Sequence, residues 1–348
     1  MSKKTICLIL GGGVGSRLFP LTQHRSKPAV PIAGKYKLID IPIANCLHSG
    51  LNQIFVLTQY NAASLNQHLK NTYNFDAFNP SQVDILAAEQ RVDNMNWYRG
   101  TADAVRQALS YIDQLDYDQL LVLSGDQLYE MDLEKMLQTH LQADADITIA
   151  TKPVRAKEAT GFGIMKTNEE QQIINFIEKP STELLPQWKS KLEMPQTVKG
   201  AHYLASMGIY FFSKKAIHKL FDQCPEAMDF GKEIIPFALK NEYKIQSHLF
   251  DRYWADIGTI ASYFETNIQL ARGVCGFKFS DSKKIFTRPM MYPPSQVAGT
   301  RMTHVLMNEG SEIYANTITD TILGYLTRIG KGSVVDKAVI LGNDYLDY

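Results

Sequence analysis

Apolar and polar positions follow two different rhythms along the 348 residues. In the first half, short runs of nearly continuous apolar residues recur: "TICLIL" (5–10), "NQIFVLT" (52–58) and "DQLLVLSGD" (118–126). Runs of this length without polar alternation read as strands buried on both faces. Between the last two lies "TADAVRQALSYIDQL", where Ala102, Val105, Leu109 and Ile112 return at helical spacing and Thr101 is placed to cap the start. A helix over "DLEKMLQTHLQ" and a strand over "DITIATKPV" follow. Alternating strands and helices predict right-handed βαβ units and an α/β domain with a mostly parallel, Rossmann-like mixed sheet. Such sheets bind ligands outside the carboxyl ends of their strands, and both "GGGVGSR" and "GDQLY" fall at such ends.

The rhythm changes after about residue 160. "GIMKTNEEQQIINFIEKP" predicts a hairpin turning at Asn168–Gln171. A polar stretch around Pro186–Pro195 reads as a surface excursion, "LASMGIYFF" as another buried strand, and "TIASYFETNIQLARG" as a helix ending at Gly273. A second change comes at "RPMMYPPSQV". Beyond it, short β-branched triplets alternate with Gly310, Gly324, Gly330, Gly332 and Gly342, and helical spacing is gone. This pattern resembles the hexapeptide-type coils of a parallel β-helix. The stretch is short and reaches Tyr348 without a recognisable cap, so the β-helix is expected to be partial, either truncated or covered by a partner chain. The expected organisation is a catalytic-sized domain over 1–275, a linker over 276–298 and the β-helix over 299–348.

Composition narrows the function classes. Lys plus Arg and Asp plus Glu are both 36, which argues against a general polyanion-binding surface and hence against nucleic acid as a partner, though not against a local basic site. No apolar run is long enough to span a bilayer, so no membrane role is expected. Cys7, Cys46, Cys224 and Cys275 form no CxxC pair and follow no secretory signal; reduced thiols in a cytoplasmic protein are expected. No HExxH or GxSxG motif occurs, so nothing points to a zinc enzyme or a serine hydrolase.

The candidate chemistry begins in the loop after Leu10. Gly11, Gly12, Gly13 and Gly15 fit neither a P-loop, since no Gly-Lys-Ser/Thr follows, nor the dinucleotide fingerprint, since Ser16 and Leu18 stand where a small third residue is required. Small residues still let main-chain N–H groups face an anion, and Arg17 and Lys27 add fixed positive charge; the plain alternative is a tight turn with surface cations. Asp126 at the tip of a buried strand can hold Mg²⁺ or simply cap the next turn. Asp256 in "YWADIGT" and Lys179 in "FIEKP" are, taken singly, more often structural. Trp97 and Tyr98 can be core residues or a stacking surface for a base.

In combination these signals carry more. "GGGVGSRLFPLTQHRSKPAVPIAGKYKLIDIPIANCLHSGLNQIFVLTQYN", "WYRGTADAV", "SGDQLY", "FIEKP", "MGIYFF", "DFGKEIIP" and "YWADIGT" occur in that order. Together they resemble the glucose-1-phosphate adenylyltransferases (ADP-glucose pyrophosphorylases), within the sugar-nucleotide pyrophosphorylases, over nearly the whole chain. The resemblance implies a nucleotidyltransferase domain followed by a left-handed β-helix. It implies transfer of the adenylyl group of ATP to α-D-glucose 1-phosphate, with Mg²⁺, in glycogen or starch biosynthesis. Arg17, Lys27 and Asp126 would be catalytic, and Asp126 and Asp256 would hold the metal. Leu10, Gly11, Gly12, Gly13, Gly15, Gln90, Tyr98, Gly100 and Thr101 would bind ATP. Gly163, Glu178, Lys179, Ser206, Tyr210 and Asp229 would bind glucose 1-phosphate. The resemblance also implies small-molecule allosteric effectors and a homo-oligomer, a tetramer. Ala87 and Glu89 in "LAAEQR", Ala255, and His24 in "QHRSKP" depart from residues frequent in relatives; the first two bear on adenine selectivity and the last on the identity of the activator. The rivals are a sugar-1-phosphate nucleotidyltransferase using another nucleoside triphosphate and a non-catalytic regulatory subunit.

Overall fold

The computed structural model describes residues 4–76, 78–89, 96–190, 200–279 and 283–343. Its centre is the Thr5–Leu10 strand, paired in parallel with Gln53–Thr58 on one side and Gln119–Ser124 on the other. Gln82–Ala87 extends the parallel half beyond Gln53–Thr58. On the far side of Gln119–Ser124 the sheet turns antiparallel: Tyr203–Ser213 pairs there and reaches on to Ile147–Val154 and Gly163–Thr167. Ile245–Leu249 joins Ile147–Val154 in parallel, and Ile173–Glu178 closes the other edge, giving nine strands. The mixed, mostly parallel Rossmann-like sheet expected from the apolar runs is therefore present, and the change after residue 160 marks where its direction becomes mixed.

Why the first strands lack polar alternation is plain from their two faces. Ile9, Ile54, Val56 and Leu121 bury against Leu65, Leu69, Met136 and Leu137 from helices Ala63–Thr72 and Leu133–Gln142. Leu8, Phe55, Leu120 and Val122 bury against Val105, Leu109, Ile217 and Leu220 from helices Thr101–Ile112 and Lys214–Gln223. Both faces being covered, every second residue has no reason to be polar.

Local signals behave as their chemistry requires, with one exception. The hairpin turns where expected: the Asn168 side-chain oxygen accepts from the Gln172 N–H at 2.8 Å, and Gln171 has φ 62°. Helix Ile260–Arg272 starts on a Thr259 cap and ends at a left-handed Gly273. The exception is Thr101. It is the first helical residue, preceded by Gly100, and makes no cap; its hydroxyl instead accepts the N–H of Phe230 at 3.2 Å. Tertiary packing against residues 228–230 has taken the group that local sequence would have given to capping.

The C-terminal strands stack in parallel coils: Arg301–Met307 on Thr317–Leu323, then Val334–Asp336 and Val339–Ile340. Gln296–Val297, inside the stretch expected to be linker, already pairs with Glu312–Ile313, which pairs with Arg328–Ile329. Ile313, Ala315, Ile318 and Leu323 fill the coil interior. The coils lean on a tight turn of the first domain. Ala33 donates its N–H to the Asn267 side chain at 3.0 Å, and its carbonyl accepts from Asn308 of the β-helix at 3.3 Å. A Cβ on the neighbouring Gly34 would lie 2.6 Å from the Asn308 amide, so only glycine fits that contact.

Candidate active site

Two strand ends bring the glycine loop and Asp126 together. The Gly11 N–H donates to the Leu57 carbonyl at 2.8 Å, and a Cβ there would press on the same oxygen; the loop is thus seated on the end of Gln53–Thr58. Gly12 and Gly13 are exposed. Gly15 is left-handed, φ 61°, and opens the short turn Ser16–Leu18 that carries Arg17. In the neighbouring strand, the Gly125 N–H donates to the Leu10 carbonyl at 3.2 Å, which places Asp126 beside the loop. Lys27 begins a second short turn stiffened by Pro28, and its ammonium pairs with the Asp126 carboxylate. The Ser124 hydroxyl donates to the other Asp126 oxygen.

Asp256 arrives from far along the chain. The short strand Trp254–Asp256 pairs antiparallel with Gln127–Tyr129, setting Asp256 opposite Gln127, and the Ile257 N–H donates to the Asp126 carbonyl at 3.2 Å. The Asp256 carboxyl is pushed up to about 6, first by burial and then by the charge of Asp126, with Lys27, Arg17 and Lys179 pulling the other way. The Arg17 guanidinium reaches the same turn: a Cβ on Gly258 would stand 3.6 Å from Nη2. Two carboxylates and three cations from five separate segments therefore share one region, a pattern that fits phosphate groups between them.

On the antiparallel side, Lys179 follows the hairpin strand Ile173–Glu178 in a left-handed conformation, φ 47°, with its N–H donated to the Phe162 carbonyl at 3.1 Å. Its ammonium lies 3.5 Å from Glu178 Oε1. Glu178 Oε2 occupies space that a Cβ on either Gly163 or Gly231 would invade at 2.8 Å. Burial raises the Glu178 carboxyl, opposed chiefly by Lys179. Tyr210 is buried against Phe230, ring centroids 5.4 Å apart, and its hydroxyl is raised to about 12 by that burial. The Ser206 hydroxyl accepts the Gly208 N–H at 3.2 Å within a bulge between Ser206 and Tyr210. Asp229 accepts from the Thr101 hydroxyl at 3.4 Å and from the Lys232 N–H at 2.9 Å.

On the glycine-loop side lies a cavity of about 300 Å³ whose lining includes Leu10, Gly12, Gly13, Tyr98, Gly100 and Thr101. Six of the residues expected to bind a nucleotide thus meet around one space, with Gly11 and Gly15 shaping its loop. Gln90 lies outside the described residues. Trp97 is 52 % exposed and so is not core. Sequence reasoning passed over Gln59, which also lines the cavity and donates its amide to the Tyr98 carbonyl at 3.4 Å; its place just beyond a buried strand was the available signal. It also passed over Ser124 and the pairing of Lys27 with Asp126. Among the described residues no group of three or more His, Cys, Asp or Glu is placed to hold a metal, no helix is long and apolar enough to cross a membrane, and Cys7, Cys46, Cys224 and Cys275 are free thiols.

The model of the Nucleotidyl transferase family matches residues 6–273, and that of the GLGC left-handed parallel beta-helix domain matches residues 290–348. The first match covers the sheet from Ile6 onward and every expected site residue; the second covers the coils and gives them their hand. The chain belongs to the nucleotidyl transferase family and, with its β-helix, is a sugar-1-phosphate nucleotidyltransferase of the sugar-nucleotide pyrophosphorylase kind, acting on a nucleotide and a sugar phosphate.

Proposed function

We propose that the chain transfers the adenylyl group of ATP to α-D-glucose 1-phosphate, giving ADP-glucose and pyrophosphate, the step that supplies the glucosyl donor for glycogen or starch. The observation that carries this reading is the meeting of Arg17, Lys27 and Lys179 with Asp126 and Asp256 in one region beside the glycine loop, whose Gly12 and Gly13 line a cavity together with Tyr98. In-line attack of one phosphate on another requires positioning and charge stabilisation more than a strong base, because the nucleophile is already an anion. The exposed Gly12 and Gly13 offer main-chain N–H groups to the triphosphate. Arg17 holds the departing β- and γ-phosphates. Lys27 serves the α-phosphate, where charge builds up in the transition state. Lys179 holds the sugar phosphate, while Glu178, Ser206, Tyr210 and Asp229 accept and donate to the glucose hydroxyls.

Asp126 and Asp256 fit Mg²⁺. They are hard oxygen donors set side by side, the Asp256 carboxyl is raised first by burial and then by the charge of Asp126, and Mg²⁺ is commonly bound by one or two carboxylates together with substrate phosphates. When bound there it would supply charge neutralisation on the phosphates. Lys27, now paired with Asp126, is well placed to exchange that partner for the α-phosphate.

The presence of Arg17, Lys27 and Asp126 together disfavours a non-catalytic subunit, and "WYRGTADAV" favours ATP over other triphosphates. A cavity at the domain junction, lined by Lys35, Lys37, His68 and Arg288, is the natural place for an anionic effector. A cytoplasmic homotetramer completes the reading. Pyrophosphate release with ATP, glucose 1-phosphate and Mg²⁺, repeated across a panel of nucleoside triphosphates and with candidate glycolytic effectors, tests it. Faster turnover with another triphosphate would replace the adenylyl assignment, and no turnover with any would support the regulatory-subunit rival.

A further inference from the structure

Gln127 follows Asp126 directly, and its side chain is buried, the residue being 6 % exposed, on the face of the strand pair that it shares with Asp256 opposite it. Both ends of its amide are engaged. Nε2 donates to the Met207 carbonyl at 2.8 Å, and Oε1 accepts the indole N–H of Trp254 at 3.1 Å. The partners fix the orientation of the amide, because a carbonyl can only accept and an indole N–H can only donate. Met207 lies inside the bulge where the register of Tyr203–Ser213 against Ile147–Val154 shifts between Ser206 and Tyr210, next to Gly208 at φ 69°. Trp254 opens the strand that ends on Asp256. Its ring also meets Phe162, centroids 4.9 Å apart, and the Phe162 carbonyl is the one that accepts the Lys179 N–H.

One amide thus touches the segment of Ser206 and Tyr210, the strand of Asp256 and, through Trp254 and Phe162, the turn of Lys179. We propose that Gln127 is a positioning residue that sets the sugar-phosphate half of the site in register with the two carboxylates. This rests on the reading of Ser206, Tyr210 and Lys179 as that half. A group supplying one donor and one acceptor in a fixed plane is required: methionine matches the shape and supplies neither, taking this partner from the Met207 carbonyl and from the part-buried Trp254 N–H. The nucleotide half is built on the ends of Thr5–Leu10 and Gln53–Thr58 and does not touch Gln127, so the two halves should respond differently.

The test compares wild type, Gln127→Met and Trp254→Phe as full-length chains, by steady-state kinetics in both substrates and by hydrogen exchange. Gln127→Met should raise KM for glucose 1-phosphate by roughly 10–50-fold and leave KM for ATP within about twofold. Trp254→Phe, which removes one of the two bonds, should shift the same constant by a smaller factor. Amide exchange in residues 203–213 should quicken in both variants while residues 53–58 keep their protection. If Gln127→Met fails to fold, Trp254→Phe carries the same comparison. Should wild type not use glucose 1-phosphate, the functional reading fails by itself, and the exchange pattern still judges Gln127. Equal changes in both KM values, or a lower melting temperature with unchanged exchange in 203–213, would overturn the proposal.

Discussion

The two halves of the site are made from different material. The half proposed for the nucleotide uses main chain: a glycine loop seated on the Leu57 carbonyl, with Gly12 and Gly13 exposed. The half proposed for the sugar uses side chains: Ser206 and Tyr210 are buried, and glycines make room for the Glu178 carboxylate near Asp229. The first is a product of the parallel strands, whose carboxyl ends present N–H groups and need only small residues. The second belongs to the antiparallel part, where a bulge and a hairpin aim individual groups inward. Main-chain recognition suits phosphates, which look alike in every nucleotide; side-chain recognition suits a sugar, whose hydroxyls must be told apart.

That division can be broken by experiment. The largest effect should come from the cations and carboxylates that serve the transition state. Lys27→Ala should lower kcat by roughly 10²–10³ while ATP binding weakens much less, because its charge is matched to the α-phosphate only as charge accumulates. Lys27→Arg should not restore full activity, since a planar fork replaces a compact ammonium beside Asp126. Asp126→Asn, nearly isosteric, should lower turnover by at least ~10² at saturating Mg²⁺; near-normal turnover would remove it from the site. Arg17→Ala, facing phosphates charged already in the ground state, should weaken ATP binding as well as turnover, which steady-state constants in both substrates will show.

Lys179→Ala sharpens the comparison further. It should raise KM for glucose 1-phosphate by roughly 10–100-fold with KM for ATP little changed, and a larger change in ATP would merge the two halves. The smallest effect concerns stability. Asp256 titrates at about 6 in the fold, above the ordinary carboxylate near 3.9. A raised acid binds its proton more tightly when folded, so stability falls as pH rises through the window from about 4 to 6. Asp256→Asn should therefore melt higher than wild type at pH 7.5, by roughly 2–6 °C, and the difference should vanish near pH 4. An advantage that persisted at pH 4 would assign it to something other than this carboxyl.

How far the sequence could be read follows the same division. Glycines at fixed spacing after a buried run announce themselves locally, so the loop, Arg17 and the strand tip at Asp126 were visible from residues 8–28 and 118–126 alone. Asp256 was not, because it reaches Asp126 through a three-residue strand pairing across more than a hundred positions. Glu178, Ser206 and Asp229 are common polar residues in ordinary surroundings, and only their order among other motifs set them apart. Thr101 misled, since its capping value is local while its actual partner, the Phe230 N–H, is distant. Gln59 had only its place just beyond a buried strand, and Gln127 only its place in "SGDQLY", to mark it: an amide's role becomes legible when its neighbours in space are known.

The seating of the β-helix on Ala33 has a consequence for the order in which the protein can be finished. The Asn308 amide that holds the Ala33 carbonyl lies 275 residues downstream of it, whereas Lys27 lies only a few residues upstream. During synthesis the catalytic sheet can form as soon as its strands emerge, but the turn that leads away from Lys27 acquires its second tie only when the coils are made. A nascent chain stopped short of the coils should therefore hold a sheet already paired beside a loop still loosely anchored, so that competence for chemistry waits until the coils have been made.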